Sequence, residues 1–178
     1  MESKRIANKV WKIYGGKGLS SNVYLVDVIE PTLIDLGSSE NTLDLVKILK
    51  EIGYEAKDIV NIVFTHLHLD HTGQPSRFEN ARFYASREEI ESFKDKLKKI
   101  KLEPLGSEIA GMNVIKTPGH TVGSVCLLLQ KEKILFSGDT IFDDGYGRVD
   151  LETSVPEKMN DSLERLKKLK YKILCPGH

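Results

Sequence analysis

The chain has 178 residues, 40% of them hydrophobic, with 26 Lys plus Arg balancing 26 Asp plus Glu. That length and apolar share fit a single domain with its own core. Zero net charge supplies no long-range field for nucleic acid or an anionic membrane, and two cysteines, Cys126 and Cys175, make no disulfide framework. Val10 to Tyr14 and Asn22 to Asp27 read as antiparallel strands joined through Gly15, Gly16, Lys17 and Gly18. Pro31 ends that hairpin, and a third strand runs from Thr32 to Leu36. Asp35, near its end, is expected to accept loop amides and not to act in catalysis. Ser39 to Ile52 reads as a helix with Leu45, Ile48, Leu49 and Ile52 on one stripe and Gly53 as its stop.

A turn at Asp58 leads into Ile62-Val63-Phe64, a short buried strand. The residues after it, His66-Leu67-His68-Leu69-Asp70-His71, hold three imidazoles and a carboxylate. In an extended stretch His66, His68 and Asp70 point one way and His71 the other. One tetrahedral metal cannot use all four from a single loop, but two adjacent metals can divide them. Imidazole and carboxylate without thiolate suit zinc, iron or manganese.

Ala81 to Ala85 makes another short strand. Ser86 and Glu89 form a capping box opening a helix to about Ile100, with Ile90, Phe93, Leu97 and Ile100 inward and the basic Lys94–Lys101 stretch as its solvated face. Leu102 to Gly111 reads as loop. It reaches a strand from Met112 to Lys116, followed by Thr117-Pro118-Gly119-His120. Val125 to Leu129 and Lys133 to Phe136 form a hairpin; its first strand is apolar throughout, so it lies central and covered on both faces, with Cys126 as a small core residue. Asp139 follows in Ser137-Gly138-Asp139-Thr140. Ser154 and Glu157 form a second capping box around Pro156, starting a helix with Met159, Leu163, Leu166 and Leu169 inward. Lys172 to Leu174 then leads to Cys175-Pro176-Gly177-His178. Strand, turn and ligand thus recur in that order four times, and the pattern uses all five histidines. The N-terminal stretch lacks the apolar core of a signal peptide, and no apolar run approaches membrane-spanning length. A cytoplasmic protein with no membrane and no nucleic-acid partner is expected.

The H-x-H-x-D-H run with its later His, Asp and His resembles the signature of the metallo-β-lactamase superfamily, in the family's order and over nearly the whole chain. The resemblance implies an α/β (α+β) fold: a four-layer αββα sandwich of two mixed β-sheets, with helices on the outer faces and the site at one edge. It also implies two divalent metal ions, zinc foremost, with iron or manganese as alternatives. The first would take His66, His68 and His120, the second Asp70, His71 and His178, and Asp139 would bridge them. Members usually continue past this Gly-His into a further helix. Residues 1–178 are therefore expected to form one metallo-β-lactamase-like domain lacking that C-terminal helix, with its last ligand loosely held.

The stretch Asp143 to Leu151 resembles the G-x-G-R-x-D segment of short glyoxalase II-like (hydroxyacylglutathione hydrolase-like) members. Related long enzymes place a basic residue at the Arg148 position against the glutathione carboxylate, a role that suits a bidentate guanidinium. A brace from Arg148 to Asp150 or Asp144 is the competing reading. Tyr146 stands where many relatives carry a small residue and is the other substrate-binding candidate. The expected function is a metal-dependent hydrolase of a thioester or related ester. A metal-bridging hydroxide would attack the carbonyl, and Asp70 would orient it or pass its proton on. Alternatives are a persulfide dioxygenase with one iron on His66, His120 and Asp139, a lactonase, and a non-catalytic metal-binding module on the same fold. The expected partner is a small-molecule substrate, and nothing in the sequence indicates a homo-oligomer.

Overall fold

The computed structural model describes residues 1–93 and 100–178. Strands β1 (Glu2–Ala7), β2 (Val10–Tyr14), β3 (Val23–Val26) and β4 (Thr32–Ile34) form an antiparallel meander. Helix α1 (Thr42–Glu51) leads to β5 (Asn61–Val63), the short α2 (Leu69–Thr72) to β6 (Arg82–Ala85), and α3 (Arg87–Phe93) precedes β7 (Leu102–Pro104). Each of these three strands adds in parallel to the one before, so the described residues give a seven-stranded sheet in sequence order. Parallel neighbours need crossovers, which is where the helices lie.

The second half of the chain adds β8 (Glu108–Ile109), β9 (Met112–Lys116), β10 (Val125–Leu129) and β11 (Ile134–Gly138), then a ribbon of β12 (Ile141–Phe142) and β13 (Gly145–Tyr146). Helix α4 (Pro156–Lys167) and β14 (Ile173–Pro176) complete it. The second sheet runs β14-β11-β10-β9-β8, and only the β14–β11 pair in it is parallel among the described residues.

Alternation along the strands makes the layers. In β3, Val23 and Leu25 pack with Leu45 and Leu49 of α1, whereas Tyr24 and Val26 face the second sheet. In β10, Leu127 and Leu129 join Phe136 and Met112 in that inner core, while Cys126 and Leu128 pack outward with Leu166 of α4. The order is helix, sheet, sheet, helix: the expected αββα sandwich. Each fully buried Leu, Ile or Phe stabilises it by about 1.5–3 kcal/mol, and the inner core keeps the sheets face to face.

The structure departs from the sequence reading in several places. Strand β1 pairs with β2, although residues 2–5 are polar and exposed and so carry no burial pattern. Residues 102–111, expected as loop, supply the short edge strands β7 and β8; at an edge the missing N–H of Pro104 leaves no partner unpaired. The third helix is described to Phe93, and its expected inward residue Leu97, with the basic residues 94–99, lies outside the described residues. Neither expected capping box closes. Helix α4 begins with Val155 at its N-cap, and Ser154 Oγ donates instead to the His120 carbonyl at 2.8 Å. Among the described residues no helix is long and apolar enough to cross a membrane.

Candidate metal centre

Phe64 and Leu67, each 1% exposed, anchor the loop after β5 in the core beneath α1, and His66 and His68 project from it. The extended alternation expected through Asp70 and His71 does not hold. His71 N–H donates to the His68 carbonyl at 3.0 Å, opening α2, so the chain turns helical there and swings Leu69 out to 79% exposure. His120 follows β9 after the Thr117-Pro118-Gly119 turn, and Asp139 follows β11 directly. Because β11 and β14 are parallel, with Gly138 opposite Pro176, Asp139 and His178 leave the second sheet side by side. The last loop is not loose. Gly177 N–H donates to the Gly138 carbonyl at 2.9 Å, Asn22 N–H to the Gly177 carbonyl at 2.6 Å, and the Tyr24 hydroxyl to the Pro176 carbonyl at 2.7 Å. A side chain at 177 would collide with Asp139 Oδ1, so glycine is what allows this approach.

All seven expected residues meet at this edge. The ligand atoms of His66, His68 and His120 lie within 4.8 Å of one another, as do those of Asp70, His71 and His178, and those of His66, His71 and Asp139. Asp139 stands between the groups. Its Oδ1 is 3.3 Å from His71 Nε2, and its Oδ2 is 3.5 Å from His178 Nε2 and 3.6 Å from His120 Nε2. Asp70 Oδ2 is 3.3 Å from His178 Nε2.

The arrangement fits divalent cations. Among the described residues, buried His66 Nε2 has no hydrogen-bond partner, and His71 Nε2 and Asp139 Oδ1 meet only each other; leaving a buried group unsatisfied costs about 1–3 kcal/mol. Their outer atoms, by contrast, are engaged. The Arg148 carbonyl accepts from His120 Nδ1 at 2.8 Å and Asp35 Oδ2 from His71 Nδ1 at 2.8 Å, which turns each Nε2 inward. Thr153 Oγ1 lies 2.9 Å from His68 Nε2, so His68 presents Nδ1, 3.0 Å from His120 Nε2. Thr65 Oγ1 lies 3.2 Å from His66 Nδ1. Such partners fix ring orientation and tautomer in metal sites.

The two triads differ electrostatically. Burial holds His66 well below the usual imidazole range, and burial with the neighbouring His120 takes His68 down to about 4. Burial also pulls on His71, but the carboxylates of Asp35 and Asp139 outweigh it and raise that ring to about 10. Burial pushes Asp70 and Asp139 up. Hydrogen bonds from His178 and His71 respectively, with nearby positive charge, prevail and bring Asp70 to about 2 and Asp139 below the usual carboxylate value.

Sequence reasoning assigned Asp35 to loop amides, and it does accept Thr65 N–H at 2.8 Å, in a left-handed backbone conformation (φ 58°) that non-glycine residues rarely adopt. Its hold on His71 was missed, as were Thr65, Thr153 and the Arg148 carbonyl. A lone acid closing an apolar strand was the available signal for Asp35. Isolated hydroxyls and a backbone carbonyl give none. A cavity of about 840 Å³ opens over His68, Asp70, His120, Asp139 and His178, walled by Leu19, Leu67, Leu69, Phe93, Phe142 and Leu151. Arg148 also lines it, but its guanidinium donates to both Asp150 carboxylate oxygens at 2.8 and 2.9 Å, the brace geometry. Tyr146, 54% exposed on β13, is not among the described lining residues.

Residues 16–101 and 75–178 match the family profile of the metallo-beta-lactamase superfamily. A probable metallo-hydrolase, MJ0888 of Methanocaldococcus jannaschii, is 34% identical over 92% of this chain and 89% of its own length. An N-acyl homoserine lactonase of a Bacillus species is 34% identical over 73% of this chain, which spans 57% of that relative. Among solved structures, TTHA1623 in a di-iron-bound form superposes with a TM-score of 0.80 at 26% identity, covering 94% of this chain and 91% of that one.

Proposed function

The chain belongs to the metallo-beta-lactamase superfamily and is a metal-dependent hydrolase of that family; from this premise we propose that it cleaves a thioester or related ester with an apolar acyl part, using two metal ions. The observation that carries the reading is the position of seven convergent His and Asp side chains at the floor of an apolar-walled cavity. His66, His68 and His120 would hold one ion, Asp70, His71 and His178 the other, with Asp139 between them. Divalent ions bound there supply Lewis acidity and water activation near neutral pH. Zinc is the proposed metal, and the di-iron form of TTHA1623 makes iron the alternative.

Asp70, ionised at neutral pH, accepts a hydrogen bond and so orients the attacking group toward the carbonyl. Leu19, Leu69 and Phe142 exclude water from the acyl part, and Thr153 and the Arg148 carbonyl keep two of the histidine rings from turning. No leaving-group contact is assigned to Arg148 or Tyr146, since the Arg148 guanidinium braces Asp150 and Tyr146 is not among the described lining residues of the cavity. Lactone hydrolysis is the second reading, favoured by the lactonase relative. The setting we propose is cytoplasmic, with a small-molecule substrate and no nucleic acid. The test is to assay zinc-loaded and chelator-stripped protein on a glutathione thioester, an uncharged acyl thioester and an N-acyl lactone. Chelator-sensitive turnover fastest on a thioester supports the first reading, turnover fastest on the lactone supports the second, and turnover that survives stripping sinks both.

A further inference from the structure

Glu89 on α3 has no solvent exposure, and its carboxylate does not close the capping box expected of it. It turns away from its own helix. One oxygen accepts the Leu67 N–H at 3.0 Å; the other accepts the Gly123 N–H at 3.0 Å and the Thr121 hydroxyl. Leu67 lies between His66 and His68, and Thr121 directly follows His120. A single carboxylate therefore joins the loops, one from each sheet, that deliver the three-histidine triad. The joint is closed around it. Ser86 Oγ donates to the Gly123 carbonyl at 2.6 Å and accepts the Glu89 N–H at 3.2 Å, and a side chain at 123 would collide with both residues.

An ionised carboxylate only accepts, which matches three converging donors and gives charge-assisted bonds stronger than neutral ones. Taking a charge fully out of water is unfavourable unless its geometry is well satisfied, and apolar packing would tie two loops together without that penalty. What a carboxylate adds is a fixed distance between specific backbone amides. We propose that Glu89 is a positioning residue that sets the separation of His66 and His68 from His120, and through it the affinity of that triad for metal. The inference rests on the reading that these three histidines hold a metal ion.

The test uses metal-free full-length protein titrated with zinc against a chromogenic chelator, and the visible absorption of the cobalt(II) form. Glu89→Gln keeps the size but sets an NH2 group against amide donors. It should weaken the first zinc equivalent by about 10–100-fold and alter the cobalt spectrum. Thr121→Val removes one donor and should weaken that equivalent less, by up to about tenfold. Leu166→Ala, on the buried face of α4, should lower Tm and leave zinc affinity unchanged, separating stability from positioning. Wild-type zinc affinity and cobalt absorption in both site variants, even at reduced Tm, would overturn the proposal. If Glu89→Gln does not fold, Thr121→Val decides by the same criterion. Failure of the underlying reading looks different: His66→Ala and His120→Ala would then bind zinc as the wild type does.

Discussion

His66 and His120 are 1% and 3% exposed, whereas the side chain of His178 is 29% exposed and that of Asp70 19%. In the first triad every outer ring nitrogen meets a partner, on Thr65, Thr153 and the Arg148 carbonyl, and its loops are joined through Glu89. In the second, Asp35 fixes His71, while His178 follows β14 and is the more exposed ring. Protonation separates them further, because His66 and His68 are neutral near pH 7 whereas His71 holds its proton between two carboxylates. His66 and His68, already neutral, need no proton displaced before they take a cation. His71 must lose its proton first, so the ions should bind in sequence, the three-histidine triad first.

The strongest way to break this distinction is Asp139→Ala, since that carboxylate faces His71, His120 and His178 together. We expect loss of the second metal equivalent and a drop in kcat/KM on the order of 10²–10³, the range for removing one preorganised electrostatic group. Metal content equal to that of Asp35→Ala, measured on both purified proteins, would contradict it. Asp35→Ala should come next. Without its partner His71 can turn, and the second equivalent should weaken by about 10–100-fold, more than the first. Equal weakening of both in a chelator competition would erase the proposed order.

Acidity sharpens the comparison further. Zinc must displace the His71 proton, so second-site affinity should rise by about tenfold per pH unit toward pH 10, with about one proton released near pH 7. His66 and His68 have no proton to give there, and calorimetry in buffers of different ionisation enthalpy would read the contrast. The smallest effect belongs to Arg148→Ala, outside both triads. Because its guanidinium is spent on exposed Asp150, turnover should change by less than about fivefold, alike for a glutathione thioester and an uncharged ester. A rise confined to KM for the glutathione substrate would restore a substrate carboxylate as its partner.

Where residue type carries the information, the sequence was readable. The H-x-H-x-D-H run, the separate His120, Asp139 and His178, and the apolar alternation of β3 and β10 led to the layered fold and to the place where the ligands gather. What escaped it depends on contacts between distant segments. Thr153 meets His68 from 85 positions away, and Glu89 carries the local spacing of a cap but spends its carboxylate on two other loops. The helical turn at Leu69 was hidden because a four-residue helix has no periodicity to detect. The first four residues of β1 are exposed, so the strand lacks the buried alternation that would have revealed it.

Each triad draws residues from the loop after β5 in one sheet and from a loop of the other sheet, so an ion in either place would be a removable cross-link between the two halves of the chain. Binding to the folded chain alone makes metal supply part of the folding equilibrium: above saturation, every tenfold rise in free ion adds about 1.4 kcal/mol per site.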